Sequence, residues 1–350
     1  MPSFINEAAW IASAKSKPLQ VGPAPAPIPE ENEIVIKVAY AAINPVDWKL
    51  QEDASFELKY PFILGTDVAG TIVQLGSGVT RFKLGQRVIG HCDGFVSGKA
   101  SNCAFQLYTT CREILVAAVP DSLPLANAVV LPISISTASS ALFVQLKAPL
   151  PSLNSQFTGK KILIWGGSSS VGSSAIQLAH ASGLEVIATA SSANHALVKQ
   201  LGATDVFDHK DTDTVDKISN LLRPGDLVVD CISSEDTQVK CGEILSRIGG
   251  GKLPILGFPK GIAPRKCGTS IWMKHLLILR SERSRAWIHE SQVGDAVWRQ
   301  YIPSALANGK FQAKPDPVIV KGGLSKVQEG IDFLRGGVSA KKVVVEIAQE

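Results

Sequence analysis

Apolar and polar positions alternate over residues 34–41, and further β-rich runs follow over 68–75, 87–90 and 105–109. Each of these runs predicts a half-buried β-strand. Glycines at 65, 70, 76, 78, 85, 90 and 94 punctuate them as turns. The texture changes at Leu125. From there to about Lys310, short apolar runs at 161–165, 184–189, 204–207, 226–230 and 252–257 alternate with stretches of helical period. That alternation predicts a parallel sheet covered on both faces. After Phe311 the β pattern resumes, with a strand at 318–320, a helix at 324–336 and a last strand at 342–347. The expected fold class is therefore α/β and discontinuous: a β-rich domain of residues 1–124 and 311–350, with a doubly wound Rossmann-type domain at 125–310 inserted into it. The proline-rich segment 23–29 reads as a turn-filled link, and there is no internal repeat.

The run from Lys160 to His180 is the most specific local pattern. It gives a buried strand (Ile162 to Trp165), a glycine- and serine-filled turn, and a helix from near Val171. A strand leading through small residues into a helix N-terminus aims backbone N–H groups at a phosphate, where the helix dipole adds roughly half a positive charge. Against G-x-G-x-x-G the turn reads Gly167-x-Ser169-x-x-Gly172, with serine at the middle position. Taken alone this is a weak fingerprint. Gly183 then breaks the helix, and a second β-rich run ends in Thr189-Ala-Ser-Ser-Ala-Asn-His195.

In an NAD-binding unit an Asp or Glu about 20 residues past the glycines holds the ribose 2′-OH. This chain has none there. Ser191, Ser192 and Asn194 are short donors suited to a 2′-phosphate instead, each bond to that charged group being worth roughly 1.5–3 kcal/mol. NADPH is the expected cofactor. His195 and Lys199 are nearby cations, or members of a solvated helix face.

Composition narrows the class further. At 350 residues the chain can build two cores, and its hydrophobic share of 45% is that of a globular protein. No basic start leads into an apolar leader, and no unbroken apolar run reaches the length of a membrane span. The cysteines at 92, 103, 111, 231, 241 and 267 show no compact pairing pattern and read as reduced thiols. The expected location is cytoplasmic. A net charge of +4, dispersed along the chain, gives no argument for nucleic acid.

Asn44-Pro-Val-Asp-Trp-Lys49, Gly65-Thr-Asp-Val-Ala-Gly70, Gly78-Val-Thr-Arg-Phe-Lys-Leu-Gly85, Gly166-Gly-Ser-Ser-Ser-Val-Gly172, Leu201-Gly-Ala-Thr-Asp-Val-Phe-Asp208 and Lys341-Lys-Val-Val-Val345 follow in order. Together they resemble the zinc-independent branch of the medium-chain dehydrogenase/reductase superfamily, and the resemblance spans nearly the whole chain. It implies a GroES-like catalytic domain beside the Rossmann domain. The serine-filled turn, Ile135-Ser-Thr-Ala138 and Ala190-Ser-Ser-Ala-Asn194 are most similar to trans-acting enoyl reductases of fungal polyketide synthases.

Zinc relatives place a Cys in the first motif and Gly-His-Glu in the second. Here those places read Asn44-Pro-Val-Asp47 and Gly65-Thr-Asp67, without thiolate or imidazole. Cys103 and Cys111 offer one interval of a structural-zinc lobe but not the others, and His91-Cys92 reads as structural. No metal is expected.

The resemblance implies hydride transfer from NADPH to the β-carbon of an α,β-unsaturated thioester, with enolate charge on the thioester oxygen and protonation at the α-carbon. Lys49 is the candidate electrophile or proton donor, or else a ribose or phosphate ligand. Asp47 orients Lys49, bonds a ribose hydroxyl, or caps the helix its segment begins. Tyr60 is an outside candidate for proton donor, against ordinary packing before Pro61.

By the same resemblance, cofactor contacts fall on Val46, Asp47, Trp48 and Lys49, on Ser168, Ser169, Ser170 and Val171, and on Ser191, Ser192, Ala193 and Asn194. His209 stands where relatives carry a tyrosine at the adenosine end. Leu256, Gly257, Lys342 and Val343 border the nicotinamide, and Thr137, at the start of a helix, reaches its phosphate or ribose. Ala138, Ser139, Ser140, Ala141, Leu142, Phe143, Val144 and Gln145 line the acyl channel or simply form an amphipathic helix.

The partner implied is a polyketide synthase acyl carrier domain bearing the thioester. Lys260, Arg265, Lys266, Lys274, Arg280, Arg283 and Arg285 against Glu282 form a stripe suited to an acidic surface, or an ordinary solvated face. A monomer is expected. Two other readings stay open: a stand-alone NADPH:quinone or 2-alkenal reductase, and an NADPH-binding structural partner of a synthase with weak catalysis.

Overall fold

The computed structural model describes residues 5–52, 58–256 and 292–349. The strands are β1 (Asn6–Ile11), β2 (Gln20–Ala24), β3 (Glu33–Ala42), β4 (Phe62–Ile63), β5 (Asp67–Leu75), β6 (Arg87–His91), β7 (Tyr108–Arg112) and β8 (Val116–Ala118), then β9 (Lys161–Trp165), β10 (Glu185–Ala190), β11 (Asp205–Asp208) and β12 (Leu227–Asp230), and last β13 (Asp316–Val320) and β14 (Lys341–Glu346). The chain forms two compact units, one of Met1–Ser136 with Trp298–Glu350 and the other of Thr137–Val297. They divide after Ser136 and Val297 rather than after Pro124 and Lys310, because the helix Leu125–Ala128 packs on β3, β5, β6 and β13 and stays with the first unit.

The first unit is built on a seven-stranded sheet in the order β13-β14-β3-β5-β6-β8, with β7 also paired to β3. β3 is its centre because eight of its ten residues are buried, which only a strand covered on both faces requires. The C-terminal strand β14 lies antiparallel to β3, Val344 opposite Ala42 and Val345 opposite Ala41, so the end of the chain completes a sheet begun near its start. A smaller sheet, β2-β1-β4, adds to this unit. Ile34, Ile36, Val38, Ile43, Leu64, Val68, Phe105, Ile331 and Val343 belong to its core.

The second unit carries four parallel strands in the order β11-β10-β9-β12. Numbered from β9, that is 3-2-1-4, the half-sheet of a dinucleotide-binding fold. Its switch point lies between β9 and β12, beyond their carboxyl ends. Leu163, Trp165, Ile187, Val228, Cys241, Ile244 and Leu245 form the core under it.

Some elements depart from the sequence pattern. The expected strand at 105–109 is displaced to Tyr108–Arg112, because Phe105 is drawn aside to bond Leu64 and Ala9 through its backbone. The expected fifth parallel strand at 252–257 shrinks to a single bridge, Asp230 to Ile255, and Gly257 lies outside the described residues. The helix expected at 324–336 begins as a 3-10 turn, Gly323–Lys326, before becoming α over Val327–Arg335.

The stretch Leu125–Gln145 is long and apolar enough to cross a membrane by length and composition, but 78% of its most apolar window is buried inside the protein. That degree of burial marks a core helix.

Candidate active site

The turn after β9 is shaped by three glycines, each with a neighbour closer than 3.0 Å to where a Cβ would stand. Gly166 has φ +83°, and a Cβ there would lie 2.5 Å from Ile232 Cγ1. A Cβ on Gly167 would press on Ile176 Cδ1 at 2.9 Å, and one on Gly172 would collide with the Gly166 carbonyl oxygen. The middle position is different. Ser169 sits at φ −70°, ψ 164°, extended backbone that any residue adopts, and its hydroxyl accepts the Gly172 amide at 3.0 Å. Serine at the middle position is therefore the N-cap of the helix Ser170–Ala181, not an obstruction in the turn.

Thr189, at the end of β10, holds the other side of the turn. Its Oγ1 accepts the Gly166 amide at 3.0 Å and its carbonyl accepts the Gly167 amide at 2.8 Å. Asp230 fixes the facing loop: its Oδ1 accepts the amides of Ile232 and Ser233 at 2.9 Å, and its Oδ2 accepts Thr237 Oγ1 at 2.7 Å. Burial raises the Asp230 carboxyl against these bonds. Ser233 Oγ in turn accepts the amide of Leu256 at 2.6 Å, which ties down the segment expected to border a nicotinamide. The sequence reading missed Asp230, although an acid closing a parallel strand next to the first one was a usable signal. The cradle fits a dinucleotide pyrophosphate: room that only missing Cβ atoms leave, at the N-terminus of a helix, beyond the switch point.

The end of β10 carries no acid of its own, but one approaches from the neighbouring strand. Ala190 is the register partner of Asp208 at the end of β11, and the Asp208 carboxylate reaches the Ser191–Asn194 loop. Asp208 Oδ2 accepts both the amide of Ser192, at 2.9 Å, and its hydroxyl. Asn194 Nδ2 donates to Ser191 Oγ at 2.9 Å, and His195 Nε2 lies 3.1 Å from the Ala190 carbonyl. The donors of Ser192 are thus engaged within the protein. The Ser192 bonds hold the Asp208 carboxyl down at about 2, helped by the amide of Lys210. His209 is 43% exposed beside it, its Nδ1 3.7 Å from Asp208 Oδ1.

In the first unit, Asn44 precedes the helix Pro45–Glu52, and Asp47 on its first turn reaches back to accept the Asn44 amide at 2.7 Å. Of the three roles open to Asp47, this geometry carries the capping one. Asp47 is fully buried and its Oδ1 has no hydrogen-bond partner among the described residues. Burial pushes its carboxyl from 3.8 up to about 7; the Asn44 amide acts against this, Asp67 with it, and Lys342 and the Gly65 amide oppose it more weakly.

A carboxyl raised on folding favours the protonated fold. Its contribution to stability is complete below about pH 3.8 and is lost as pH rises through about 7. Asp47→Asn keeps an oxygen for the Asn44 amide and removes the titration. The variant should gain on the wild type between pH 4.5 and 8 by about 3 kcal/mol in urea unfolding. A gap that does not change with pH would refute this account of Asp47.

Lys49 and Trp48 are partly buried on the same helix, the ammonium 5.5 Å from the Trp48 ring centroid. Val46 is buried in the core. Tyr60 is partly buried and packs against that core.

Lys342 was expected at the nicotinamide. It is 3% exposed, and its Nζ bonds Asn44 Oδ1 and lies 3.2 Å from Asp67 Oδ2. Asn44 Nδ2 donates to Asp67 Oδ2 at 2.8 Å and Thr66 Oγ1 at 3.0 Å, while Asp67 Oδ1 accepts the Ile133 amide at 2.7 Å. Val343 is fully buried and accepts the Ile43 amide through its carbonyl. The geometry therefore gives both residues structural work.

Where the sequence resemblance implies the metal positions of zinc relatives, this chain carries Asn44, Thr66 and Asp67, and the Lys342 ammonium bonds two of them. An amide, a hydroxyl and a paired carboxylate do not fit zinc. His91 faces Ser136 Oγ at 2.9 Å, and Cys92 Sγ lies 3.3 Å from Cys111 Sγ, all buried.

Thr137 lies within the helix Pro132–Ser139 rather than at its start, because the helix begins at the proline. Ser140–Gln145 continues it as a π-helix, a wider winding often associated with functional sites. Ala138, Ser139, Ala141, Leu142 and Phe143 are buried, whereas Ser140, Val144 and Gln145 are half-buried. Ser139 Oγ is a buried hydroxyl without a hydrogen-bond partner among the described residues. The basic stretch from Lys260 to Arg285 lies outside the described residues.

Residues 30–124 match the model of the alcohol dehydrogenase GroES-like domain, and residues 170–299 match that of the zinc-binding dehydrogenases. The chain is 63% identical over 349 residues to trans-enoyl reductase himH of Aspergillus japonicus, covering 100% of this chain and 99% of the relative. It is 34% identical to trans-enoyl reductase tndF of Aspergillus flavipes, over 94% of this chain and 96% of the other. Among solved structures, the CurK enoyl reductase shares the fold with a TM-score of 0.73 at 19% identity, covering 99% of this chain and 100% of its own. The chain belongs to the medium-chain dehydrogenase/reductase family, in the company of the fungal trans-enoyl reductases, and its Rossmann-type unit is that of a nicotinamide-dependent oxidoreductase.

Proposed function

We propose that the protein is a trans-acting enoyl reductase that uses NADPH to reduce the α,β-double bond of a polyketide thioester presented by a synthase acyl carrier domain. The observation that carries this reading is the lysine-filled metal position. With Lys342 paired to Asp67 and Asn44, charge on a reacting carbonyl has to be met by protein groups rather than by a Lewis acid. The end-to-end likeness to himH supports the same activity.

NADPH, when bound, supplies the hydride. The residues proposed to hold it are Ser168 to Val171 at the pyrophosphate, Ser191 to Asn194 with His209 at the adenosine end, and Val46 to Lys49 with Leu256 nearer the nicotinamide. Gly167 and Gly172 keep the turn close enough for backbone donors to act. Lys49 faces the developing enolate oxygen or delivers the α-proton. The half-buried side of 138–145 receives the acyl chain. A cytoplasmic monomer fits this reading.

The test is anaerobic NADPH oxidation with a crotonyl pantetheine thioester. Wild-type protein should turn over, and Lys49→Ala should lower kcat by about 10²–10⁴-fold. A rise in KM alone would make Lys49 a binding residue. Quinones or free enones reduced as fast as the thioester would replace the proposal with a small-molecule reductase. Tight NADPH binding without any turnover would leave a structural partner.

A further inference from the structure

A serine inside a helix ordinarily bonds a carbonyl of the preceding turn or faces water. Two serines of the helix Pro132–Ser139 find partners: Ser134 Oγ donates to the Leu131 carbonyl at 2.7 Å, and Ser136 Oγ accepts Trp298 Nε1 at 3.2 Å. Ser139 does not. The residue is 3% exposed, its side chain caps nothing, and its Oγ bonds no group among the described residues. An unpaired buried hydroxyl weakens the fold that holds it, and a ligand that supplies the missing bond removes that cost.

Its place is specific. Ser139 is the last residue before the winding opens into the π-helix Ser140–Gln145. Ala138, Ala141, Leu142 and Phe143 beside it are buried and apolar, and Ser140 and Val144 are half-buried. A placed hydroxyl on an apolar wall is how a hydrophobic pocket fixes the orientation of its ligand. A hydroxyl gives one hydrogen and offers two lone pairs, so a hydroxyl or a ketone on the ligand would satisfy it.

We propose that Ser139 is a specificity-determining residue whose hydroxyl bonds an oxygen carried by the acyl chain, so that oxygen-bearing enoyl thioesters are reduced in preference to plain hydrocarbon ones. The inference rests on the reading of 138–145 as a wall of the acyl channel of an enoyl reductase. Polyketide chains carry oxygens on alternate carbons, and C5 and C7 are the first such places beyond the reacting double bond.

The test is anaerobic NADPH oxidation by wild-type protein and Ser139→Ala with 2-octenoyl pantetheine and its 5-hydroxy and 7-hydroxy analogues. The hydroxyl is already unpaired in the free protein, so a plain chain loses nothing by leaving it so. The gain of the oxygenated chain is then one neutral hydrogen bond, and wild type should favour one analogue about tenfold in kcat/KM. Ser139→Ala should bring the analogues within about twofold of the plain chain, because the bond is gone. Any unfolded fraction cancels in these ratios. The melting temperature of the variant should hold or rise, since an unpaired group has been removed.

Equal turnover of all three thioesters by wild type overturns the proposal, and so does a preference that survives in Ser139→Ala. Both leave the enoyl reductase reading intact. A clear fall in melting temperature would show that the hydroxyl is bonded within the fold, and overturns it too. A weaker NADPH dissociation constant with the acyl preference unchanged would assign the hydroxyl to the nicotinamide carboxamide instead. Turnover of no thioester by wild type overturns the enoyl reductase reading and the proposal with it.

Discussion

Lys342→Met is expected to destabilise the protein by about 3–5 kcal/mol, a large part of an ordinary domain's stability. Asp67 is fully buried and its Oδ2 would lose the only cation the structure gives it among the described residues. Asn44 would lose the ammonium at its Oδ1 at the same time. Methionine fills much the same volume as the lysine stem, so the loss reports the unpaired charge rather than a cavity. Guanidinium unfolding measures it. A second change, Asp67→Asn, should recover part of the loss by removing the orphaned charge while keeping an acceptor for the Ile133 amide. A loss under about 1 kcal/mol in the single variant would mean that the pair is weakly coupled to the fold.

Gly172→Ala should be the most damaging change in the cofactor unit. The added methyl meets the Gly166 carbonyl oxygen and the Gly167 Cα, both backbone atoms that no rotamer can move aside. Overpacking of this kind costs about 1–3 kcal/mol and occasionally more. Here the shift falls on the phosphate turn itself, so dinucleotide affinity should drop at least about tenfold. Ser169→Ala is the control. It removes a helix cap worth about 1 kcal/mol but puts no new atom into the turn. Equal nucleotide affinity in Gly172→Ala and wild type would show that the turn is not the pyrophosphate seat.

The parallel strands and the discontinuous β-rich part were legible because each is a local pattern. β9 shows as four apolar residues between a lysine pair and a glycine pair, and β14 shows as a valine run after Lys342. What stayed hidden depends on partners far away in sequence. Lys342 and Asn44 are 298 positions apart, and nothing in either neighbourhood announces the other. Asp208 was visible as a strand end, but its charge enters the Ser191–Asn194 loop only through the register of β10 on β11. The π-helical winding of Ser140–Gln145 was hidden for another reason: six residues are too few for the apolar pattern to separate a π from an α period.

Ser169 carries one more consequence. Because its hydroxyl caps the helix and Thr189 braces the opposite strand, the phosphate turn holds its shape through bonds internal to the chain. A dinucleotide arriving there does not have to order a loop first, so little entropy opposes its capture. Under the proposed function, a turn held by its own chain would not need to be rebuilt between the departure of an oxidised nucleotide and the arrival of a reduced one.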